Sequence, residues 1–437
     1  MTYLKNSKID SIIYRQRYKL RSCFDLFEMF FEVKKSSNKQ INQLLRICFA
    51  LFARSLDQNS SGDNQHKKKF FCFLRKSLRF LSFFTFLCRI FAVEMKRHQF
   101  ILFVLLLLPA AGQLTHCRNC LSLLDKAAGR EDQLLVMFWN LENFFDWRRD
   151  SLNGSESEAD FTSFGKRHWT KRRFQAKCNA IAKSILWVKD EEGILPDIIG
   201  VAEVENRFVL KRLLEDTQLY RTDYGIVHYD SPDPRGIDVA LLYRTSRLTL
   251  MQSRPLRMGG GTDHPLLTRD ILLTKFLKSD GDSIAFLVNH HPSKYGGKTG
   301  QRREVALRRL RDATDSLQKA GLMNIVAMGD FNDTPENPAF GILTDGEPLP
   351  LTNLAIPAAE NGEGTIRYSG KWEMIDMFFI SRSLASGGHI PEMNVLRLPF
   401  LMVRDNAHSG EKPLRTYTGP RYVGGVSDHC PIVVWIR

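Results

Sequence analysis

The chain has 437 residues, of which 43% are hydrophobic and 25% charged, so it can bury one large core with extensions or two separate cores. Its formal charge of +14 suggests a nucleic-acid or membrane partner, but residues 1–94 hold 18 Lys and Arg against 7 Asp and Glu, which leaves only +3 for the remainder. The region after residue 94 is therefore close to neutral, and its overall charge does not define a partner.

The eight cysteines are scattered along the chain, which excludes a dense disulfide scaffold. Cys117 and Cys120 have the spacing of a redox pair, but no second pair accompanies them to form a zinc site. Four cysteines lie beyond residue 94, and we expect them to be free thiols or to form a structural disulfide whose pairing the sequence leaves open. They are Cys117, Cys120, Cys178 and Cys430.

Residues 95–112 have the layout of a secretory signal peptide. A Met and a basic cluster precede an apolar run that is too short for a comfortable membrane span, and small residues mark a cleavage point near Ala111 or Gly112. This pattern predicts a secreted or periplasmic protein whose mature form has no transmembrane helix. A lipoprotein signal is disfavoured because His116 stands before Cys117, where a small residue is needed.

Residues 1–94 precede this signal, although such signals act at the N-terminus. The favoured explanation is that translation starts at Met95 and that the preceding residues result from a mis-assigned start. The alternative is a genuine basic, Phe-rich extension that associates with membranes. In either case we assign no function to these residues.

From residue 134 onward, apolar runs of strand length alternate with segments of helical spacing, without an internal repeat. Residues 171–188 and 301–319 have the helical pattern, and residues 113–133 form a short linker. The alternation predicts a single α/β or α+β domain over 134–437, in which helices cover a sheet core. The predicted strands are 134–138, 198–202, 239–243, 284–289, 325–328, 377–380 and 432–436.

The run 325–328 ends abruptly at Gly329-Asp330-Phe331-Asn332. An aspartate at a strand end can hold a hard cation or orient water, and an asparagine donates hydrogen bonds to a phosphoryl oxygen without adding charge. Alone the motif is also typical of a turn. Residues suited to a metal or a phosphate recur at the ends of the other predicted strands, namely Asn140, Glu203, His290, Asp376, and Asp428 with His429.

This ordered set of motifs resembles the endonuclease/exonuclease/phosphatase superfamily, the DNase I-like, metal-dependent phosphoesterases. The resemblance covers residues 134–437 and suggests a secreted, bacterial-type member. It implies a four-layered α/β sandwich, in which two packed β-sheets are flanked by helices. The motifs are Asn-Leu-Glu-Asn, Val-Ala-Glu-Val, Asn-His-His-Pro-Ser, Gly-Asp-Phe-Asn, Ile-Asp and Ser-Asp-His.

The resemblance implies a metal site made of oxygen ligands. Glu203 is its principal ligand, Asn140 lies beside it, and Asp428 makes a further contact. Magnesium suits such a site because it prefers octahedral oxygen donors and keeps several waters, with manganese as the alternative. The adjacent histidines at 290 and 291 suggest a transition metal such as zinc, but no HExxH-like spacing supports one.

The resemblance also implies five catalytic residues. His429 lies opposite the scissile phosphorus, and Asp376 sets its tautomer and raises its basicity. Asp330 orients or deprotonates the attacking water. Asn332 and His290 bind the non-bridging oxygens and stabilise the charge that develops on them.

Two of these assignments have alternatives. Only one of His290 and His291 can point into the site from a strand end, and the register favours His290. The duplication departs from the single histidine usual in the family. Asp376 has the alternative role of capping a strand.

Further candidates surround this set. Arg235, in a turn-rich segment, and Lys294, in a Gly-rich loop next to His290, are candidates for binding a substrate phosphate, and a solvated loop charge is the equal alternative for Arg235. Residues 166–169 and 171–174 interleave basic and aromatic side chains in a way that suits a nucleic-acid backbone. An ordinary solvated face is the preferred interpretation of these two segments.

The sequence thus predicts an exported, magnesium-dependent phosphoesterase that hydrolyses phosphodiester bonds, with nucleic acid as the favoured substrate and no stable protein partner. An inositol-phosphate phosphatase is disfavoured because residues 371–376 lack the Pro-Ser-Trp-x-Asp-Arg pattern. An abasic-site endonuclease is also disfavoured, because the segment around the metal-binding glutamate reads Val-Ala-Glu-Val-Glu-Asn instead of Gln-Glu-Thr-Lys. The alternatives are a phosphodiesterase or phosphatase for lipid or small-molecule phosphoesters, and a non-catalytic binding protein that keeps the fold.

Overall fold

The computed structural model describes most of the chain after residue 131, and all described residues belong to the compact unit Ala111–Arg437. The predicted extension, the signal peptide, the cysteines at 117 and 120, and Lys294 lie outside the described residues. Among the described helices, none is long and apolar enough to cross a membrane. The described ranges are 132–148, 156–259, 266–293, 299–345, 349–385 and 390–437.

Helices and strands alternate along the described chain. The helices are α1 (Glu156–Asp160), α2 (Lys171–Glu192), α3 (Arg207–Glu215), α4 (Thr299–Lys319), α5 (Gly341–Thr344) and α6 (Ile356–Glu360). The strands are β1 (Leu134–Phe144), β2 (Ile198–Val204), β3 (Tyr224–His228), β4 (Asp238–Arg244), β5 (Leu248–Leu256), β6 (Ile271–Lys278), β7 (Ser283–His290), β8 (Asn324–Asp330), β9 (Leu351–Asn353), β10 (Ile366–Tyr368), β11 (Lys371–Glu373), β12 (Asp376–Ser381), β13 (Met393–Val395), β14 (Met402–Arg404), β15 (Glu411–Pro413), β16 (Tyr417–Thr418), β17 (Arg421–Tyr422) and β18 (Ile432–Ile436).

The first sheet has six strands in the order β13-β18-β1-β2-β4-β3. At its centre β1 and β2 are parallel, with Asn140 opposite Ala202, and β18 and β4 flank them in antiparallel orientation. Parallel strands end at the same edge of a sheet. Asn140 of β1 and Glu203 of β2 therefore reach that edge together.

The second sheet has the order β5-β6-β7-β8-β12-β9, with β7 and β8 parallel. In this register Asp330 lies between His290 of β7 and Asp376, which opens the antiparallel strand β12. Gly329 allows the close approach of β7 and β8, since a Cβ atom there would lie 2.3 Å from the carbonyl oxygen of Asn289. The glycine of the Gly-Asp-Phe-Asn motif is thus a packing requirement of the sheet.

Strand β1 is buried on both faces. Val136 and Phe138 join the core that the two sheets share, together with Phe286 of the second sheet. The intervening Met137 and Trp139 join a second core with residues of α2 and α3. Burial on both faces accounts for the continuous apolar run that begins β1.

The predicted sandwich of two packed sheets flanked by helices is confirmed. Helix α4 connects the parallel strands β7 and β8 and contributes Leu307 and Leu310 to the core, whereas α2 and α3 cover the first sheet. The seven predicted strands and both predicted helices are present, most of them longer than predicted. The sequence pattern missed the other described strands, among them β3, β5 and β6, and the shorter helices α1, α3, α5 and α6. Strand β5 escaped it because, at an edge of the sheet, its only buried residues are Leu248 and Leu256.

Candidate active site

The candidate residues meet where the two sheets present the ends of their strands. Asn140 and Glu203 come from the first sheet, and His290 and Asp330 from the second. Asp376 begins the strand next to Asp330, and the loop before β18 brings Asp428 and His429 to the same place. Each of these side chains lies within 4 Å of another member of the set.

His429 and Asp376 form a buried pair, in which Nδ1 of His429 lies 2.7 Å from Oδ2 of Asp376. Burial disfavours the charged imidazole, but the carboxylates of Asp376 and Asp330 outweigh it and raise the pKa of His429 well above its ordinary value. The backbone of His429 is also fixed, since its carbonyl accepts from Trp139 Nε1 and its N–H donates to Ser427 Oγ. The ring is therefore cationic and held in one orientation.

Asp330 lies at the centre of the site. Its Oδ2 accepts from Asn140 Nδ2 at 3.0 Å, and Nε2 atoms of His290 and His429 lie 3.7 and 3.8 Å from the same oxygen. Burial raises the pKa of Asp330 to about 7, with Asp376 adding to the rise and His429 partly offsetting it. Asp330 can therefore gain or lose a proton near neutral pH.

Glu203 is held in its ionised form. Its Oε2 accepts from the Asn143 N–H at 2.8 Å, and its Oε1 lies 3.2 Å from the Arg235 guanidinium. Burial alone would raise the pKa of Glu203, but Arg235 and the Asn143 N–H bring it below its ordinary value. The backbone of Glu203 has φ of 59°, a left-handed conformation that marks a constrained position.

The two adjacent histidines have different surroundings. His290 Nε2 lies 3.9 Å from Glu203 Oε1 and 3.7 Å from Asp330 Oδ2, and burial lowers its pKa well below the ordinary value. The ring of His291 packs edge-on against Phe331 at 4.8 Å, and neither of its nitrogens has a hydrogen-bond partner among the described residues. His290 therefore faces the site, and His291 belongs to the packing beneath it.

Asn332 adopts a left-handed conformation, with φ of 52°. Its N–H donates to Asp330 Oδ1 at 2.9 Å, and its Nδ2 donates to the carbonyl of His291 at 3.0 Å. One N–H of the carboxamide is therefore used to hold the loop. The second N–H has no acceptor among the described residues.

Asp428 is the most exposed of the candidate metal ligands, with 22% of its side chain accessible. Its Oδ1 lies 3.8 Å from His429 Nε2, and its Oδ2 lies 3.1 Å from an Arg415 guanidinium nitrogen. The same guanidinium lies 2.7 Å from Glu142, so Arg415 bridges two carboxylates beside the site. Beneath them the ammonium of Lys177, buried at 2% exposure, donates to the carbonyl of Glu142 at 2.6 Å.

The sequence pattern missed several residues that shape the site. Arg235 is brought to Glu203, but Arg269 is the more deeply buried arginine, and it binds Asp233 at 2.8 Å and the His291 carbonyl at 2.7 Å. Local sequence gave no signal for this long-range contact. The residues the pattern did not assign are Glu142, Asn143, Lys177, Arg269 and Arg415, two of which belong to the Asn-Leu-Glu-Asn motif that it did identify.

The donor set fits a hard divalent cation. Glu203 is ionised, and Asn140 and Asp428 add oxygen atoms. Next to them is a second group of potential ligands, Asp330, Asp376 and His429, whose ligand atoms lie within 4.8 Å of one another. Asp376 Oδ1 is buried without a hydrogen-bond partner among the described residues. Several buried carboxylates lie close together in the candidate site, and a bound divalent cation would reduce the repulsion between them.

The chain belongs to the Endonuclease/Exonuclease/phosphatase family, whose sequence model matches residues 135–437. Enzymes of this family are phosphoesterases that use divalent metals, and the chain has their fold. No match was found among curated protein sequences.

Three solved structures are among those to which this chain is similar. D. rerio TDP2 humanized by 14 mutations is 13% identical, with a TM-score of 0.45, and the match covers 70% of this chain and 100% of that chain. A family member from Bacteroides thetaiotaomicron is 19% identical, with a TM-score of 0.45 and coverages of 70% and 97%. The mannosyl-6-phosphatase Bt3783 of the same organism is 16% identical, with a TM-score of 0.45 and coverages of 70% and 99%.

Proposed function

We propose that the chain is an exported phosphodiesterase that uses Mg²⁺ and cleaves nucleic acid. The observation that carries the proposal is the buried His429–Asp376 pair, which faces Asp330 at 3.8 Å. Asp330, whose carboxyl titrates near neutral pH, is suited to accept a proton, and the adjacent cationic imidazole of His429 is suited to donate one. Export is supported by the signal-like segment 95–112.

In this proposal Glu203, Asn140 and Asp428 hold the metal. When bound, the ion supplies a Lewis acid that polarises a phosphoryl oxygen and neutralises its charge. Arg235 orients Glu203 through the 3.2 Å contact and keeps it ionised. Asn143 fixes the other oxygen of Glu203 by its backbone N–H.

The remaining residues move protons and bind oxygens. The oxygen of a water molecule attacks the phosphorus while Asp330 takes a proton from that water, and the bond to the leaving oxygen breaks. His429 donates a proton to the leaving oxygen, with Asp376 stabilising the imidazolium. The free N–H of Asn332 and the neutral ring of His290 bind the non-bridging oxygens as charge builds on them.

A substrate panel tests this proposal. Purified protein is assayed with Mg²⁺, Mn²⁺ or EDTA on bis-p-nitrophenyl phosphate, p-nitrophenyl phosphate, plasmid DNA, RNA and sphingomyelin. We expect metal-dependent cleavage of the diester and of nucleic acid, abolished by EDTA. Hydrolysis of the monoester or of sphingomyelin alone would assign a phosphatase or a lipid phosphodiesterase, and no turnover on any substrate would leave a binding protein.

Export has its own test, which is independent of the substrate. The full gene is expressed with its natural start, and protein recovered from the medium or periplasm is sequenced from its N-terminus. We expect a mature N-terminus near residue 112. Recovery of the protein only from the cytosol, with residue 95 or an earlier residue at its N-terminus, would overturn the proposal of export.

A further inference from the structure

Lys177 places a charged side chain on the buried face of α2. Its helical neighbours Phe174, Cys178 and Ile181 belong to the core, and Lys177 itself is only 2% exposed. Burial lowers the pKa of Lys177 to about 8, with nearby carboxylates, Glu142 foremost, opposing the change, so the ammonium stays charged at neutral pH. A buried cation is costly for a fold unless it is paired, so its partners show what it does.

The ammonium of Lys177 binds two segments that lead to proposed metal ligands. Its Nζ donates to the carbonyl of Glu142 at 2.6 Å and to Thr416 Oγ1 at 2.8 Å. Thr416 Oγ1 in turn donates to the carbonyl of Val426 at 3.0 Å, two residues before Asp428. Lys177 therefore connects the turn near the end of β1 with the loop before β18.

Two consecutive residues of the turn in β1 have left-handed backbones. Glu142 has φ of 46° and Asn143 has φ of 56°. Residues other than glycine rarely adopt this conformation unless the surrounding contacts impose it. The N–H of Glu142 donates to Oδ1 of Asn140 at 2.9 Å. Since the N–H of Asn143 donates to Oε2 of Glu203 at 2.8 Å, the turn directs successive N–H groups at two proposed metal ligands.

The peptide bond between Glu142 and Asn143 links Lys177 to Glu203. A trans peptide is planar, and its carbonyl and N–H point in opposite directions. Lys177 binds the carbonyl, and Oε2 of Glu203 accepts from the N–H. A hydrogen bond to the carbonyl fixes the plane of the peptide and also polarises it, which strengthens the N–H as a donor. Lys177 therefore determines where the N–H of Asn143 points.

The charge of Lys177 does not by itself explain its place near a metal site. Glu203 and Asp428 are among the carboxylates that attract the ammonium. A positive charge close to these ligands repels a divalent cation and would weaken metal binding. Holding the peptide favours metal binding, so the two effects of Lys177 have opposite signs and can be told apart.

We propose that Lys177 is a positioning residue of the metal site, which holds the 142–143 peptide so that its N–H fixes Glu203 for the metal. The inference rests on the proposed function, because it concerns the metal that this function uses. Lys177 acts only through the peptide and Glu203. Contacts of this kind around metal ligands typically contribute about 10- to 100-fold to metal affinity.

The first measurement uses the protein without metal or substrate. Amide hydrogen exchange is followed by NMR, and the rate at Asn143 is divided by the rate at Leu135, whose N–H also donates to a buried carboxylate, Asp197 Oδ2 at 2.9 Å. Lys177→Met keeps the length of the side chain but removes its donors. We expect this variant to raise the ratio about tenfold, the factor that one hydrogen bond to a charged group contributes.

The second measurement is the dissociation constant of Mn²⁺, determined by isothermal titration calorimetry. Loss of positioning should raise the constant about tenfold in Lys177→Met, whereas loss of a repelling charge alone would lower it. Lys177→Gln, which is shorter and uncharged, is measured in the same two ways, so that a folding defect in one variant does not leave the test open.

The matched control is Ile181→Ala, on the same buried face of α2. It should lower the melting temperature but leave the exchange ratio and the dissociation constant of Mn²⁺ unchanged. An unchanged exchange ratio in the Lys177 variants, tighter binding of Mn²⁺, or an equal change in Ile181→Ala would overturn the positioning role. If the wild type bound no metal or hydrolysed no diester, the proposed function would be overturned instead, while the exchange ratio would still decide whether Lys177 holds the peptide.

Discussion

Nδ1 of His429 lies 2.7 Å from Oδ2 of Asp376, although 53 positions separate the two residues in the chain. Asp376 begins β12 opposite Asp330, and His429 stands in the loop before β18, in the other sheet. The pair therefore joins the two sheets at the candidate site. Its second carboxylate oxygen, Asp376 Oδ1, is free of hydrogen bonds to the described residues.

Replacement of Asp376 by Asn tests this pair. The amide keeps the shape but removes the charge that holds the imidazolium, so we expect Asp376→Asn to lower kcat by about 10²- to 10⁴-fold with a much smaller change in KM. Steady-state assays with bis-p-nitrophenyl phosphate measure both constants. Asp282→Asn, at an exposed turn, is the control and should match the wild type. Wild-type kcat in Asp376→Asn would refute the pairing as a catalytic feature.

Metal binding by Glu203 has a readout that does not depend on turnover. At a hundredfold excess of Mg²⁺ over its dissociation constant, we expect the melting temperature of the wild type to rise by roughly 5 °C. Glu203→Gln should lose this increase because it removes a charged oxygen ligand. Glu215→Gln, in an exposed position on α3, should keep it. An equal rise in Glu203→Gln would place the metal elsewhere.

Substitutions can distinguish the roles of the adjacent residues His290 and His291. His290→Gln should lower kcat by roughly 100-fold, because it removes a donor aimed at the reacting group. His291→Phe should keep kcat and equal or exceed the wild type in free energy of unfolding, since a phenyl ring fills the same space against Phe331 without two unpaired nitrogens. Diester assays and urea unfolding measure the two effects. If His291→Phe lowered kcat and His290→Gln did not, His291 would be the residue that faces the site.

The close packing around Gly329 predicts that no larger residue is tolerated at this position of the Gly-Asp-Phe-Asn motif. A methyl group at this position meets the Asn289 carbonyl oxygen at 2.3 Å, so we expect Gly329→Ala to reduce the free energy of unfolding by at least about 2 kcal/mol. Gly300→Ala, in the exposed first turn of α4 where nothing lies within 4 Å, should be neutral or stabilising by about 0.5–1 kcal/mol. Equal free energies of unfolding for the two variants would contradict the tight packing of Gly329 against the Asn289 carbonyl.

Asp270 makes stability depend on pH away from the active site. Burial raises its pKa to about 6, with Arg257 partly offsetting the rise and Asp238 adding to it. An acid whose pKa is higher in the folded state binds more protons there, so its contribution to stability falls as pH rises from about 4 to about 6.

We therefore compare the wild type with Asp270→Asn at pH 4.5 and pH 7. Relative to the variant, the wild type should lose free energy of unfolding on the order of 1 kcal/mol over this interval, after allowance for solvent screening. Asp312→Asn, at an exposed position of α4, should show no such difference. A difference of the opposite sign would mean that Asp270 is stabilised as a carboxylate in the folded state.

Much of the fold could be predicted from sequence because its central strands are apolar over several consecutive residues. The run at 432–436 coincides with β18, and 325–328 forms the middle of β8. Such runs are local features, so periodicity detects them. The edge strand β5 has a weaker pattern, because only two of its residues are buried, and α3 is missed because it spans only nine residues.

The sequence alone determined which residues stand at strand ends and, through the order of its motifs, the family. Only the tertiary structure decided which contacts they make: Asp376 pairs with His429, Arg235 keeps Glu203 ionised, and Arg415 bridges Asp428 and Glu142. The physical reason is that strand formation depends on nearby residues, whereas hydrogen bonds, ion pairs and pKa shifts depend on distances of a few ångströms between segments far apart in the chain. Those distances are fixed only when the two sheets pack.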